Sequence, residues 1–373
     1  MTTNYHMGAR GFWEELPRPF FALAPMADVT DVAFRTLVAE QSRHGQPGGG
    51  PEVFWTEFVS TDGLLSAGRE QLLRDLEYDA SERPIVAQIF GSTSENIKRI
   101  ANECEELGFD GIDINAGCPD RSICKQGAGC GLIEFPELAG ELIEACRQGA
   151  PNTPISIKTR LGRTKDEKET WVRALLLAKP AALTVHVRTR KDMSKTCPEW
   201  GRLKTIVAMR DTLSPETLIL ANGGIRTKKA GREIAAFTGC DGIMMGKAIF
   251  GNPWLFDDQR PLDTITIRDR LMILLEHTRR FMREIGDQGP NTQKPTLRFG
   301  QHTYTLQKNL RAKNIALMKK HYKGYVHGFP GAKELRQQLM GTISYAELEG
   351  LVTSWLLAHP TLADTIPSEE YVA

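Results

Sequence analysis

The chain has 373 residues, 41% hydrophobic and 25% charged, with a formal net charge of +1. This is an ordinary globular composition, and the absence of any run of about 18 apolar residues argues against a membrane-spanning helix. The length exceeds one usual core and predicts a large α/β domain with a smaller appendage.

The first twenty residues, MTTNYHMGARGFWEELPRPF, contain no apolar signal core, so a cytoplasmic protein is expected. Strand-length runs rich in apolar and β-branched residues then recur at 20–26 (FFALAPM), 53–59 (VFWTEFV), 85–91 (IVAQIFG), 111–117 (GIDINAG), 155–162 (ISIKTRLG), 183–189 (LTVHVRT), 218–225 (LILANGGI) and 242–249 (GIMMGKAI). Segments of helical period separate several of them, among them 31–40, 94–107, 136–146, 170–178 and 228–237. Eight strands alternating with helices predict a (β/α)8 TIM barrel, with an open doubly wound sheet as the competitor. No G-x-G-x-x-G follows the first run, which counts against a dinucleotide fold.

The unusual residues gather at the C-terminal ends of these runs, where a barrel keeps its chemistry. They include Pro25 and Met26, Glu57, Gln88, Asn115 to Cys118, Lys158 and Arg160, His186 and Arg188, Asn222 to Gly224, and Gly246 with Lys247. The glycines after the seventh and eighth runs, each before a helical start, suit a phosphate held by backbone N–H groups; tight turns are the bland alternative. Gln88, Asn115 and Asn222 offer paired donors and acceptors that suit a heterocycle edge better than a metal. Cys118, Cys124 and Cys130, with five residues between each and the next, match no common zinc or iron–sulfur pattern, so no metal is expected. The seven cysteines read as reduced thiols. Cys118 stands where a strand ends, between Gly117 and Pro119; a thiol there can serve as proton donor or nucleophile, or simply fill space.

The strand pattern stops after Trp254. Residues 1–257 read as the barrel, 258–267 as a linker, and 268–373 as a smaller all-α domain with helices at 268–285, 303–322, 332–340 and 345–357, the first two separated by the Gly-, Pro- and Asn-rich stretch 286–295. Residues 291–340 carry ten Lys or Arg against Glu334 alone, a candidate polyanion surface. A solvated helix face would look the same.

APMADVTDVAFR (24–35), GIDINAGCPDRSICKQGAGCGLI (111–133), ISIKTRLG (155–162), LTVHVRTR (183–190) and the pair ANGGI and GCDGIMMGKAIFGNPWLF within 221–256 together resemble the tRNA-dihydrouridine synthase (Dus) family. The resemblance implies an FMN enzyme that uses NADPH to reduce the C5–C6 double bond of a uridine in tRNA. The hydride would go from flavin N5 to C6, and Cys118 would protonate C5 from the opposite face. It implies that Pro25, Met26, Ala27, Gln88, Lys158 and His186 surround the flavin, and that Asn222, Gly223, Gly224, Gly246 and Lys247 hold its phosphate. Asn115 and Arg188 would lie on the uracil side, and Lys308, Arg311, Lys319, Lys320 and Lys323 would meet tRNA phosphates. Two features depart from the family's commonest form: Lys247 stands where many members have Arg, and the loop MSKTCPEW (193–200) differs. No nicotinamide fingerprint is readable, which leaves NADH open beside NADPH, and the modified tRNA position is not legible. No obligate protein partner is evident, and a monomer is expected. The alternatives are an FMN oxidoreductase acting on a free pyrimidine, like the dihydroorotate dehydrogenases, a tRNA-binding protein with weak catalysis, and a phosphate-binding aldolase or isomerase using Lys158.

Overall fold

The computed structural model describes residues 10–286, 296–307 and 310–368. In it the eight runs form eight parallel strands: β1 Phe20–Leu23, β2 Phe54–Ser60, β3 Ile85–Phe90, β4 Gly111–Ala116, β5 Ile155–Arg160, β6 Ala182–His186, β7 Leu218–Asn222 and β8 Gly242–Met245. Their order is β1-β8-β7-β6-β5-β4-β3-β2. β1 pairs with β8 from Phe20 opposite Gly242 to Leu23 opposite Met245. On its other edge β1 meets the start of β2, where Leu23 N–H donates to Val53 O at 3.2 Å and Glu52 N–H to Phe21 O at 2.8 Å. The sheet therefore closes into a barrel, and the open-sheet alternative is set aside.

Alternation along the strands divides the apolar residues into two cores. Phe21, Leu23, Ile85, Ile89, Ile112, Ile114, Ile157, Val185 and Ile243 face the helices. Phe20, Ala22, Trp55, Val86, Leu218, Leu220 and Met244 fill the barrel with Trp13. Trp13 sits on the turn Gly11–Glu14 and packs its ring 5.7 Å from Phe20 and 5.8 Å from Trp55, sealing the N-terminal end.

The helix Ser94–Glu106 buries Ile97, Ile100, Ala101 and Cys104 as its period predicts, with Thr93 at the cap position. Beyond the barrel, residues 258–267 are pinned down: Asp258 pairs with Lys228 and Arg232, and Arg260 stacks on Trp254. The C-terminal helices Ile267–Glu284, Ala332–Gly341 and Tyr345–Ala358 fall where expected. The helix expected at 303–322 does not form. A hairpin, β9 Thr296–Phe299 with β10 His302–Thr305, runs into its first part, and only Ile315–Met318 and Lys319–Tyr325 are helical. The reason is local: TLRF and HTYT flank Gly300-Gln301, and Gly300 takes the positive φ of 59° that this turn requires. The stretch 286–295, past Gly286, lies outside the described residues, as do Lys308 and the first nine residues. No helix among the described residues is long and apolar enough to cross a membrane.

The C-terminal helices join the barrel through buried aromatic rings. His277 stacks on Phe34 at 4.7 Å and meets His321 edge-on at 4.5 Å, and His321 stacks on Phe250 at 5.1 Å. Burial holds His277 well below the ordinary imidazole range and pushes His321 down to about 3. The unfolded chain protonates both histidines near pH 6.5, whereas the folded chain resists. Stability is thus fully present above about pH 6.5 and falls as the pH drops toward 3, by at most about 1.4 kcal/mol per pH unit for each histidine. Thermal melts from pH 7 to pH 5 should show this fall, and His321→Phe should flatten it; an unchanged slope in the variant would count against the assignment.

Candidate active site

The inward positions change character toward the C-terminal ends of β3 to β7. In register across neighbouring strands lie Asn115, Lys158 and Thr184, and above them Arg160, His186 and Asn222. These alternate with residues of the outer core, so their side chains line one polar opening above the apolar floor.

Below the opening, a chain of buried hydrogen bonds leads to Cys118. Ser156 Oγ donates to Asp113 at 2.6 Å, Gln88 Nε2 donates to Asp113 at 2.7 Å, and Asn115 Nδ2 donates to Gln88 Oε1 at 3.0 Å. Asn115 Oδ1 then accepts the backbone N–H groups of Gly117 (3.0 Å) and Cys118 (2.9 Å). Its amide is thus committed to holding the cysteine turn. Burial pushes Asp113 up to about 6, despite the hydrogen bonds it accepts.

The turn is also fixed from outside. Arg160 Nε donates to Gly117 O at 2.9 Å, and its fork reaches Thr189 O and Met193 O in the loop after β6. Arg190 lies 3.4 Å from Pro119 O, and Arg188 Nε donates to Thr196 O at 2.7 Å. The segment 125–130 packs beneath: Cys130 N–H donates to Cys118 O at 3.0 Å. Gly129 has φ 55°, and a Cβ there would fall 2.9 Å from Cys118 O. A Cβ on Gly117 would meet β5 at only 3.4 Å, an ordinary contact. Of the two glycines, Gly129 is the one that backbone geometry demands. Burial raises the half-buried Cys118 thiol above its ordinary range, so near pH 7 it keeps its proton.

Three cations surround this thiol's side of the opening. Burial, then Arg160, lowers Lys158 to about 8. Burial and the neighbouring Arg160, Lys158 and Arg188 hold His186 far below its ordinary value, so it is neutral. Arg188 lies 3.1 Å from His186 Nε2 and can only donate, which makes Nε2 the acceptor and puts the imidazole proton on Nδ1.

The opposite rim is backbone. Gly223 (φ 119°) and Gly224 (φ 70°) follow β7, and a Cβ on Gly223 would lie 2.7 Å from the His186 ring. Asn222 Nδ2 donates to Met244 O at 2.8 Å and ties β7 to β8. Thr227 caps the helix Lys228–Thr238, and exposed Lys247 opens the short turn Lys247–Ile249 after Gly246. A Cβ on Gly246 would stand 3.5 Å from Met26 Sδ; Pro25 and Met26 are half-buried and Ala27 is exposed. Glycine amides and a lysine on one side, and amide, lysine and imidazole groups on the other, fit a phosphate joined to a planar heterocycle. No cluster of His, Cys, Asp and Glu fit for a metal occurs among the described residues.

The basic block divides. Arg298 pairs with Glu77, Asp79 and Glu284, and Lys313 with Asp28, Glu57 and Asp75. Lys320 reaches Asp28 at 3.2 Å. Arg311 and Lys323 are exposed and Lys319 half-buried. Arg190, Asp113 and Gly129 were not among the expected site residues, and Arg160, expected at a strand end, had been given no role there. A separate cleft of about 560 Å³ lies between the helices Val32–Gln41 and Ile267–Glu284. Its Arg43, Arg280 and Arg298 are ion-paired, so it reads as a seam between the barrel and the C-terminal helices.

Residues 22–354 match the family model described as dihydrouridine synthase (Dus). A "Probable tRNA-dihydrouridine synthase" of Staphylococcus aureus (strain COL) is 36% identical over 91% of this chain and 94% of its own length. A "Probable tRNA-dihydrouridine synthase 2" of Bacillus subtilis (strain 168) is 38% identical over 91% of this chain and 95% of its own. Among solved structures, a histamine dehydrogenase from Rhizobium sp. 4-9 overlays loosely, with a TM-score of 0.49 at 12% identity, covering 94% of this chain and 64% of that one.

Proposed function

Because this chain belongs to the dihydrouridine synthase family, we propose that it reduces uridines of tRNA to 5,6-dihydrouridine at the polar opening of its barrel, with FMN as cofactor and NADPH as reductant. The observation that carries this reading is the convergence of a protonated thiol, three cations and a glycine cradle on one opening. FMN, when bound, supplies C6 of the uracil with the hydride it has taken from NADPH. The protein's part is to hold, orient and protonate. Gly223, Gly224, Gly246 and Lys247 take the phosphate through backbone amides and one ammonium, without the bidentate fork an arginine would give. Pro25, Met26 and Ala27 would border the ring system, with Gln88 beneath them in the buried chain to Asp113 and Asn115, and the Lys158 cation would favour the reduced form. His186 packs there as a neutral ring. Cys118, its turn held by Asn115 and Arg160, delivers its proton to C5. Asn115 thereby acts on the uracil side through Cys118, while Arg188 anchors the loop after β6 beside the base.

The test is nucleoside mass spectrometry on tRNA lacking dihydrouridine, incubated with the protein and NADPH, with free uracil and orotate as controls. Dihydrouridine in tRNA is the expected product. Turnover of the free pyrimidines alone would favour the competing enzyme reading, in which the exposed Arg311 and Lys323 have no purpose. Reversing those two charges, Arg311→Glu with Lys323→Glu, should weaken tRNA binding about 10-fold near 100 mM salt and lower the salt slope, with FMN retained. An unchanged Kd across the salt series would remove both residues from the interface.

A further inference from the structure

Asp28 follows Ala27 with a positive φ of 54°, a conformation that residues bearing a Cβ adopt only when their surroundings hold them there. Three contacts hold it there. Its N–H donates to the buried Glu57 carboxylate at the C-terminal half of β2, and its own carboxylate faces Lys313 at 3.7 Å and Lys320 at 3.2 Å. Lys313 is the hub, with Nζ 3.4 Å from Glu57 and 2.9 Å from Asp75. It belongs to the C-terminal region, and its backbone is fixed there: its N–H donates to Ile285 O at 2.8 Å, just past the helix Ile267–Glu284.

We propose that Lys313 is a positioning residue that straps the loop 25–30, through Glu57 and Asp28, into the conformation in which it borders the flavin. This rests on the reading that Pro25, Met26 and Ala27 line the cofactor. The C-terminal region then has a second duty beside meeting RNA, because its ammonium meets the carboxylates of Asp28, Glu57 and Asp75 on the barrel. Burial disfavours the charged form of Glu57 and the Lys313 ammonium opposes that, while Glu57, Asp75 and Asp31 together hold Lys313 above its ordinary range. Without the ammonium, the Glu57 carboxyl shifts further toward its neutral form and grips the Asp28 amide less firmly.

The test is hydrogen exchange by mass spectrometry on the full chain, with flavin removed, alongside titration with FMN. In Lys313→Met, exchange of peptides spanning 24–31 should speed up about 10-fold and the FMN Kd should rise about 10-fold, the equivalent of releasing the strain at Asp28. Peptides from β4 to β6 should be unchanged, which a general loss of stability would not allow. Lys313→Arg should restore both values to within about 3-fold, and Lys333→Met, a surface control, should alter neither. Should Lys313→Met fail to fold, Lys320→Met decides: it removes an exposed partner of Asp28 and should speed the same peptides about 3-fold. Unchanged exchange at 24–31 overturns the strap. Faster exchange with unchanged FMN affinity overturns the loop's role at the flavin, and with it the proposal.

Discussion

Cys118→Ala should retain FMN and its reduction by NADPH, yet form dihydrouridine about 10²- to 10⁴-fold more slowly than the wild type, the range for loss of a positioned general acid. The grounds are structural. The thiol is half-buried at the rim, its backbone is held at both the N–H and the C=O, and burial raises its pKa, so near pH 7 it carries the proton the step consumes. The direction of that shift fixes the alkaline side of the pH profile. The rate should hold while the thiol stays protonated and decline once the pH exceeds its raised pKa, later than an exposed cysteine would permit. Single-turnover oxidation of pre-reduced enzyme by tRNA, followed across pH, measures this directly. A Cys118→Ala enzyme with a wild-type single-turnover rate would assign the proton elsewhere.

Arg35→Met should cost about 3–5 kcal/mol of folding stability, a large share of the 5–15 kcal/mol typical of a whole domain. Arg35 and Glu82 have fully buried side chains and pair with each other, and the guanidinium also donates to Thr30 O and Glu77 O at 2.6 Å each. Burial pushes Glu82 up to about 7 even beside its partner. Removing the arginine strands a buried carboxyl and two carbonyls in one stroke. Arg35→Lys should cost less than the methionine but still more than a surface change, because one ammonium does not span three acceptors. Urea midpoints for the three proteins measure the order, and equal midpoints for wild type and Arg35→Met would contradict it.

Much of this was readable from the chain. The place of Lys158, Arg160, His186 and Arg188 at the C-terminal ends of ISIKTRLG and LTVHVRT put them at one mouth, because a parallel barrel gathers those ends together. The cysteine turn announced itself by chemistry out of place, a thiol between glycine and proline at a strand's end. What stayed hidden were partnerships. A count of charges in 291–340 treats Lys313 and Lys323 alike, yet one is enclosed by carboxylates from distant parts of the barrel and the other faces solvent. Asn115 was expected to meet the substrate, and its side chain is instead committed to Gln88 and the Cys118 turn. The hairpin at 296–305 had a signal, two four-residue runs about a Gly-x turn. It was masked because His302, Thr303 and Thr305 give the second run no apolar face.

The closure of the barrel carries a consequence for its synthesis. β1 leaves the ribosome well before its partner β8, which follows about 220 residues later. At ~5–20 residues per second, that is roughly 10–45 s during which one edge of β1 has no strand to pair with. Over that interval the nascent chain is an open, curling sheet with apolar Phe20 and Phe21 near its free margin, and it is exposed to edge-to-edge association until Gly242–Met245 arrives to shut it.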